Sequence, residues 1–411
     1  MKVLFISEYF PPKGKGGGEI SCFLLGKYLA KNGVEIHILT SKFKGTKKEE
    51  IIEGIHVHRL TKTGENPSSI LSNIKRSAVY PNSVKKYTKE LFKEYKFDII
   101  HYFNINSIYG LCDINCPKVV HINSPVIFCP KGDLLYEGKT ECNKFCDYKT
   151  FNSCINNSKN IGKLKNTFLL KKNIIFKKYI YKLYKKRSSK LKDFDYYIPI
   201  SSYLSKRLEI LGINKNKISV IPNIVETEDF KENNSDSKKL NIVYFGGYTE
   251  FKGVLILLES LKKLNKEYTC NLYGSGELKE KIRRIIENDK LNVSVNNEIN
   301  YSEIPKVLSK HNVLIFPSII PEAFGRVIVE SMAAGCFPIA SKIGGTTDII
   351  TNGSIGMLFE PGNSEELTKI LEKLELKKIN RKVLTENSKK YSGNELSKDI
   401  SSIYNKLAQK K

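Results

Sequence analysis

Strand-like and helix-like signals alternate along this chain in two successive runs, separated by a polar stretch at Lys231–Lys239. In the first run, Lys2–Ile6 is a short β-branched and aromatic segment. A Pro/Gly-rich turn follows, then an amphipathic stretch from Glu19 to Lys31 that Asn32-Gly33 stops. Val34, Ile36 and Ile38 alternate with polar residues as a second strand, and buried-strand runs recur at Asp98–Tyr102, Lys118–Ile122, Asp195–Ile200 and Ile218–Ile221. The second run opens with a strand at Asn241–Phe245 and a helix whose apolar face is Val254, Leu255, Leu257, Leu258, Leu261 and Leu264. Strands at Tyr268–Tyr273, Val313–Phe316 and Phe337–Ala340 continue it. Strands separated by helical stretches imply parallel sheets covered by helices. Two such runs in 411 residues imply two doubly wound α/β domains. In such sheets ligands sit beyond the carboxyl ends of the strands, so two facing domains would enclose a ligand in a cleft.

Charge is the one unusual total. Against 43 Asp+Glu stand 68 Lys+Arg, a net +25, which favours an anionic partner or surface and says nothing about fold. A nucleic-acid-binding protein is one class this suggests, but no RRM, helix-turn-helix or zinc-finger spacing is present, and the charge concentrates in one segment. From Tyr148 to Lys192 there are fourteen Lys/Arg and no Asp or Glu. At ~100° per residue, Leu169, Phe176, Ile180 and Leu183 share one helix face, and Lys171, Lys178, Lys182 and Lys185 oppose it. Such a helix suits an anionic membrane surface, or else packs its apolar face inward with its lysines merely solvated. The apolar start of the chain is too short for a signal peptide, and no run approaches the ~18 apolar residues of a membrane span. The expected location is therefore cytoplasmic, either soluble or attached peripherally to the inner face of the membrane.

Small-residue turns follow several strands. PPKGKGGGE places Gly14, Gly16, Gly17 and Gly18 between the first strand and a helix. Backbone N–H groups there can approach a phosphate, helped by the helix dipole; a flexible surface loop is the other reading. YFGGYTEFKGV opens the second domain similarly, with Lys252-Gly253 at a helix start. A Lys there opposes the dipole and calls for an anion, unless it is simply solvated. Gly274-Ser275-Gly276 and Gly344-Gly345-Thr346 repeat the pattern. Glu322 and Glu330 lie eight residues apart around Phe324-Gly325. The first would sit in a loop and the second two turns inside the following helix, where a carboxylate can accept both hydroxyls of a ribose.

These segments together resemble a GT-B fold retaining glycosyltransferase of family 4 (group 1), over nearly the whole chain. The pieces are PPKGKGGGE, VIPNIVETEDF (220–230), FGGYTEFKG, YGSGE (273–277), and above all PEAFGRVIVES with GGTTDII. The resemblance implies two Rossmann-like domains: an acceptor-side domain over 1–225 with a Cys- and Lys-rich insertion at about 125–192, and a nucleotide-sugar domain over 238–393. A last helix within 394–411 crosses back to the first domain. It implies transfer of a sugar from a nucleotide diphosphate donor to a glycan or lipid-linked acceptor, retaining anomeric configuration and needing no metal, in cell-surface polysaccharide or glycolipid synthesis. By carry-over, His121, Lys252 and Glu322 are catalytic. Gly16, Gly17, Gly247, Lys252, Gly274, Glu322, Ala323, Phe324, Gly325, Arg326 and Glu330 contact the donor. Two departures stand out. Gly247 occupies the place of an Arg usual in the family, removing one cation unless Arg326 or another basic residue replaces it. Aligning on Cys129-Pro-Lys-Gly puts Asn123, rather than His121, at the position of the family's histidine. Both departures also fit a non-catalytic relative that binds a nucleotide sugar or a partner.

Nine cysteines in a reducing compartment do not suggest a disulfide framework. Cys129, Cys142, Cys146 and Cys154 crowd a loop poor in core residues, which suggests a structural Zn²⁺ or iron–sulfur site; scattered free thiols are the competing reading.

Overall fold

The computed structural model describes the chain except residues 15, 66–68, 70, 71, 74, 139, 145, 158–171, 231–238, 410 and 411. The expected linker thus falls almost wholly outside the described residues, as do Leu169 and Lys171. The chain divides into an N-terminal unit, Met1–Ile224 with Gly393–Lys411, and a C-terminal unit, Val225–Ser392.

The N-terminal unit is built on a seven-stranded sheet in the order β3-β4-β2-β1-β5-β6-β9. The strands are β1 Lys2–Ile6, β2 Glu35–Ser41, β3 Glu49–Ile52, β4 Ile55–Thr61, β5 Ile99–Tyr102, β6 Lys118–Ile122 and β9 Tyr196–Pro199, with a two-stranded hairpin, β7 Leu135–Tyr136 and β8 Thr140–Glu141, outside the sheet. All neighbours are parallel except the β3–β4 pair. Helix Gly17–Lys31 carries the chain from β1 to β2, and helix Tyr80–Tyr95 precedes β5. Because β1 lies between β2 and β5, the winding reverses there. The turn after β1 therefore opens at the switch point where such sheets take ligands.

The strand expected at Ile218–Ile221 is reduced to a single bridge between Ile218 and Tyr197. Its amides at Ser219 and Ile221 do bond to Tyr197 and Pro199, but Val220 faces solvent and Pro222 ends the run. The C-terminal helix Gly393–Ala408 packs into this unit's core. Leu396, Ile400 and Tyr404 join Val3, Phe5 and Leu29 in one apolar cluster, and Asn32 donates to Ser397 at 2.9 Å.

The C-terminal unit has a six-stranded, all-parallel sheet in the order β12-β11-β10-β13-β14-β15. These are β10 Leu240–Phe245, β11 Tyr268–Tyr273, β12 Val293–Asn296, β13 Val313–Phe316, β14 Phe337–Ser341 and β15 Met357–Phe359. β10 is the reversal point, flanked by β11 and β13. The unit begins earlier than the sequence suggests: Val225 donates to Tyr391 O at 2.9 Å, so the Val225–Phe230 end of the segment expected to close the first domain belongs to the second.

Four histidines of the N-terminal unit, His37, His58, His101 and His121, are buried, and burial lowers each below its ordinary value, His121 to about 3. In the unfolded chain they take up protons near pH 6.5, whereas in the folded one they resist. The stability they contribute is thus complete above about pH 6.5 and declines as pH falls below it. Between pH 6 and 4.5, urea unfolding of His121→Gln should show a pH slope shallower than the parent's by about 1.4 kcal/mol per pH unit; parallel slopes would contradict the account.

Candidate functional site

In the C-terminal unit, loops at the carboxyl ends of β10, β11, β13 and β14 converge. The turns after β10 and β11 are zipped together by Gly246 N–H to Tyr273 O (3.1 Å) and Tyr248 N–H to Ser275 O (2.7 Å). Lys252 lies on the turn that enters helix Val254–Lys263. Gly253 behind it is left-handed, and a Cβ there would collide with the Pro317 carbonyl, so this turn lies tight on the loop after β13.

That loop carries Glu322. Lys252 Nζ stands 2.6 Å from Glu322 Oε1, and the Ser318 hydroxyl donates to the same oxygen at 2.7 Å. The lysine side chain is 37% exposed and the glutamate 18%, so the pair lies at a wall open to water rather than in the core. The backbone of Glu322 is fixed separately. It bridges Gly344 and accepts from Gly345 N–H at 2.8 Å, holding Ala323 and Phe324 over the turn after β14. Gly325, left-handed, begins helix Arg326–Ala333, and Phe324 is buried against Tyr391.

Glu330 sits inside that helix and is 1% exposed. Its Oε1 has no hydrogen-bond partner. Burial pushes its carboxyl up, while the Arg326 guanidinium and the Tyr301 hydroxyl pull it partly back. Ser318 and Tyr301 were not expected: Ser318 stands four residues before Glu322 on the same loop, and only the fold brings Tyr301 to Glu330. At Gly247, the expected place of an arginine, an added Cβ meets nothing nearer than 3.7 Å, so the position has room for a side chain.

In the N-terminal unit, Gly16 and Gly17 begin helix Gly17–Lys31. Asn123, just past β6, reaches Gly18: a Cβ on Gly18 would lie 2.9 Å from Asn123 Nδ2, an atom that is buried and without a partner. His121, two residues earlier, is 6% exposed, stacks on Phe103 at 5.0 Å and has neither ring nitrogen hydrogen-bonded. Asn123 is thus the residue set against the glycine turn, and His121 lies in the aromatic layer below it.

The structure gives no support to the metal site expected at Cys129, Cys142, Cys146 and Cys154. The four thiols do line one pocket, but among the described residues no group of three or more His, Cys, Asp or Glu side chains is placed to hold a metal ion. Three of the sulfurs have local contacts. Cys129 accepts from Gly132 N–H at 3.3 Å and Cys154, on helix Tyr148–Asn157, from Glu137 N–H at 3.4 Å. Cys146 packs on the apolar cluster of Phe151 and Ile155, where burial pushes its thiol up to about 12. Cys112 and Cys116 bond elsewhere, with Tyr102 and the Phe97 carbonyl. All nine cysteines are free thiols.

Comparison with known proteins fits this geometry. The "Glycosyltransferase Family 4" sequence family matches residues 15–229, and "Glycosyl transferases group 1" matches residues 225–391. The chain belongs to glycosyltransferase family 4, with the GT-B fold. An uncharacterized glycosyltransferase of Methanocaldococcus jannaschii is 30% identical over 226 residues, 54% of this chain and 60% of that one. The lipopolysaccharide 1,2-N-acetylglucosaminetransferase of Salmonella typhimurium is 30% identical over 176 residues, 36% of this chain and 45% of that one. Both alignments span less than two thirds of the relatives' lengths. Anabaena HepE, solved in complex with UDP and glucose, superposes with a TM-score of 0.64 at 17% identity, covering 99% of this chain and 100% of that one; at that identity the likeness is one of fold.

Gly344 is left-handed (φ +63°), and a Cβ there would lie 2.7 Å from Glu322 N. Gly344→Ala should therefore cost about 1–3 kcal/mol in urea unfolding, whereas Gly353→Ala, with nothing within 4 Å of its added Cβ, should stay within about 0.5 kcal/mol. Equal effects would mean that the Glu322–Gly344 contact does not hold the loop.

Proposed function

We propose that this protein is a retaining, metal-independent glycosyltransferase. It moves a sugar from a nucleotide diphosphate donor to a glycan or lipid-linked acceptor on the cytoplasmic side of a membrane, in cell-surface polysaccharide or glycolipid synthesis. The observation that carries the reading is the Glu330 carboxylate, buried with one oxygen unpartnered. A buried carboxylate oxygen left unpaired costs several kcal/mol in an apolar setting, and a ribose diol supplies the two hydroxyl donors that would satisfy it. Glu322 then takes hydroxyls of the donor sugar. Amides from Ala323 to Arg326 and the small turns at Gly247 and Gly274 meet sugar and diphosphate. In the N-terminal unit, the Gly16 and Gly17 amides are assigned anion contact, and the position carried over from the family's histidine is held by His121 or Asn123.

Chemistry follows from charge. As the bond from the anomeric carbon to the diphosphate oxygen breaks and a bond to the acceptor hydroxyl oxygen forms, negative charge grows on the leaving diphosphate, whose departing oxygen takes up the proton the acceptor hydroxyl loses. Lys252, released from Glu322 as that carboxylate turns to sugar hydroxyls, meets this charge. Interactions that strengthen only as the charge develops accelerate transfer. Support for a nucleotide sugar includes the UDP and glucose bound by HepE, and the lipopolysaccharide named for the Salmonella relative supports an envelope acceptor.

Thermal-shift screening of UDP, GDP and ADP sugars should find at least one donor that raises the melting point, since a ligand at a hundred times its Kd adds about 2.7 kcal/mol. With that donor, Lys252→Ala should lower kcat/KM by about 10²–10³-fold. A shift without hydrolysis or transfer would instead favour a non-catalytic binder, and no shift with any donor would overturn the reading.

A second experiment addresses the missing cation. Gly247→Arg has room for its Cβ and should fold with a similar melting point while raising turnover about 10–100-fold, because a charge-assisted contact to the leaving group contributes about 1.5–3 kcal/mol. No gain would mean that another basic group already serves there.

A further inference from the structure

Helix Ile174–Leu191 divides its side chains sharply between two faces. Inward go Lys177, Tyr184, Arg187, Ser188 and Leu191, all buried, with Phe176 and Ile180 packed on Phe151 and Ile155. Lys177 is held by Asn152 and Asn156 at 2.9 and 2.7 Å. Phe176 and Ile180, the part of the sequence-read apolar face shown to be packed, are thus already covered by the protein itself; Leu169 lies outside the described residues.

Outward go Ile174, Ile175, Lys178, Tyr179, Lys182, Lys185 and Lys186, all exposed, and at ~100° per residue they fall within an arc of about 140°. Ile174 is 63%, Ile175 80% and Tyr179 50% exposed. Asn173 caps the helix by accepting from Phe176 N–H at 3.0 Å, which fixes the two isoleucines on its first turn. One face therefore carries four lysines and, at its start, three large apolar or aromatic side chains in water.

We propose that this face docks on an anionic lipid surface. The two kinds of side chain together select that occupant. Phosphodiester backbones reward the lysines but give nothing to two exposed isoleucines. An interfacial lipid layer takes both, burying isoleucine and tyrosine at the headgroup boundary while acidic headgroups meet the ammonium groups. No Asp or Glu between Tyr148 and Lys192 opposes the approach. Among the described residues no helix is long and apolar enough to cross a membrane, so attachment through this helix would be peripheral. The inference does not depend on the transferase reading, because none of these residues belongs to the candidate site.

The test is flotation of the full chain with vesicles of phosphatidylcholine alone or with about 30% phosphatidylglycerol, a probe composition chosen to supply acidic headgroups. Binding is expected only to the acidic vesicles. Lys178→Glu/Lys182→Glu/Lys186→Glu should weaken it by at least about 100-fold, as each lysine contributes about fivefold. Ile174→Ser/Ile175→Ser/Tyr179→Ser, with every lysine intact, should also weaken it at least tenfold. Both variants should keep the parent's melting point and its donor-induced shift. Equal binding to neutral vesicles, full binding by either variant, or release by duplex DNA at equal phosphate concentration would each overturn the proposal, the last in favour of a general polyanion site.

Discussion

Close backbone approach at the carboxyl ends of the C-terminal sheet is the constraint on which the candidate site depends. Glu322 can meet Lys252 at 2.6 Å only because its own main chain lies on the Gly344–Gly345 turn, and Lys252 is held there because Gly253 lets its turn touch the Pro317 carbonyl. These contacts are main chain to main chain, so they fix position without consuming side-chain functional groups. The carboxylate and the ammonium remain available, and in the absence of an anion they satisfy each other. A ligand that brings both hydroxyls and negative charge can replace that pair partner for partner, leaving neither group unpaired.

Most of the sheet architecture was readable because parallel strands covered on both faces are continuous apolar runs. The strands that escaped notice lack that signature. β4 carries His56, His58 and Arg59, a pattern that reads as polar. It is buried nonetheless, because His37 and His58 stack at 5.2 Å and bond to each other at 2.9 Å, and Arg59 pairs with Glu50. Aromatic stacking and ion pairing replace the aliphatic surface that periodicity detects. β12, at Val293–Asn296, is a half-exposed edge, and β15 has three residues. The domain boundary was placed late for a related reason: composition changes at the polar linker, whereas the hydrogen bond from Val225 to Tyr391 that ties the preceding segment to the second unit spans residues far apart in sequence.

Site residues were legible to the extent that their spacing encodes local geometry. Glu322, Gly325 and Glu330 form a loop, a left-handed turn and a helix position in order, so their relation survives from sequence to structure. Partners from other segments do not announce themselves, which is why Tyr301 emerged only with the fold; Ser318 lies four residues before Glu322 on the same loop but belongs to no spacing rule. The cysteine cluster illustrates the converse error. Four thiols in 26 residues suggested a single centre, and they do line one pocket. Convergence on a pocket is a weaker condition than tetrahedral ligation, and here amides donate to Cys129 and Cys154 while Cys146 packs on an apolar cluster.

The same distinction between proximity and role applies to His121 and Asn123. His121 lies in β6 and Asn123 one residue past its end, against the turn at Gly18. Depth separates them: His121 stands within the strand, neutral and stacked on Phe103, while Asn123 stands beyond its end against Gly18. Burial holds the His121 imidazole well below its ordinary range, which weakens it as a general base at neutral pH. An amide in the outer position can donate and accept without any change of protonation. On the proposed reading, an amide at that position contributes orientation by hydrogen bonding, and the acceleration comes from charge stabilisation at the leaving diphosphate. Lys252 and the surrounding amides are the groups in the C-terminal unit equipped to supply it.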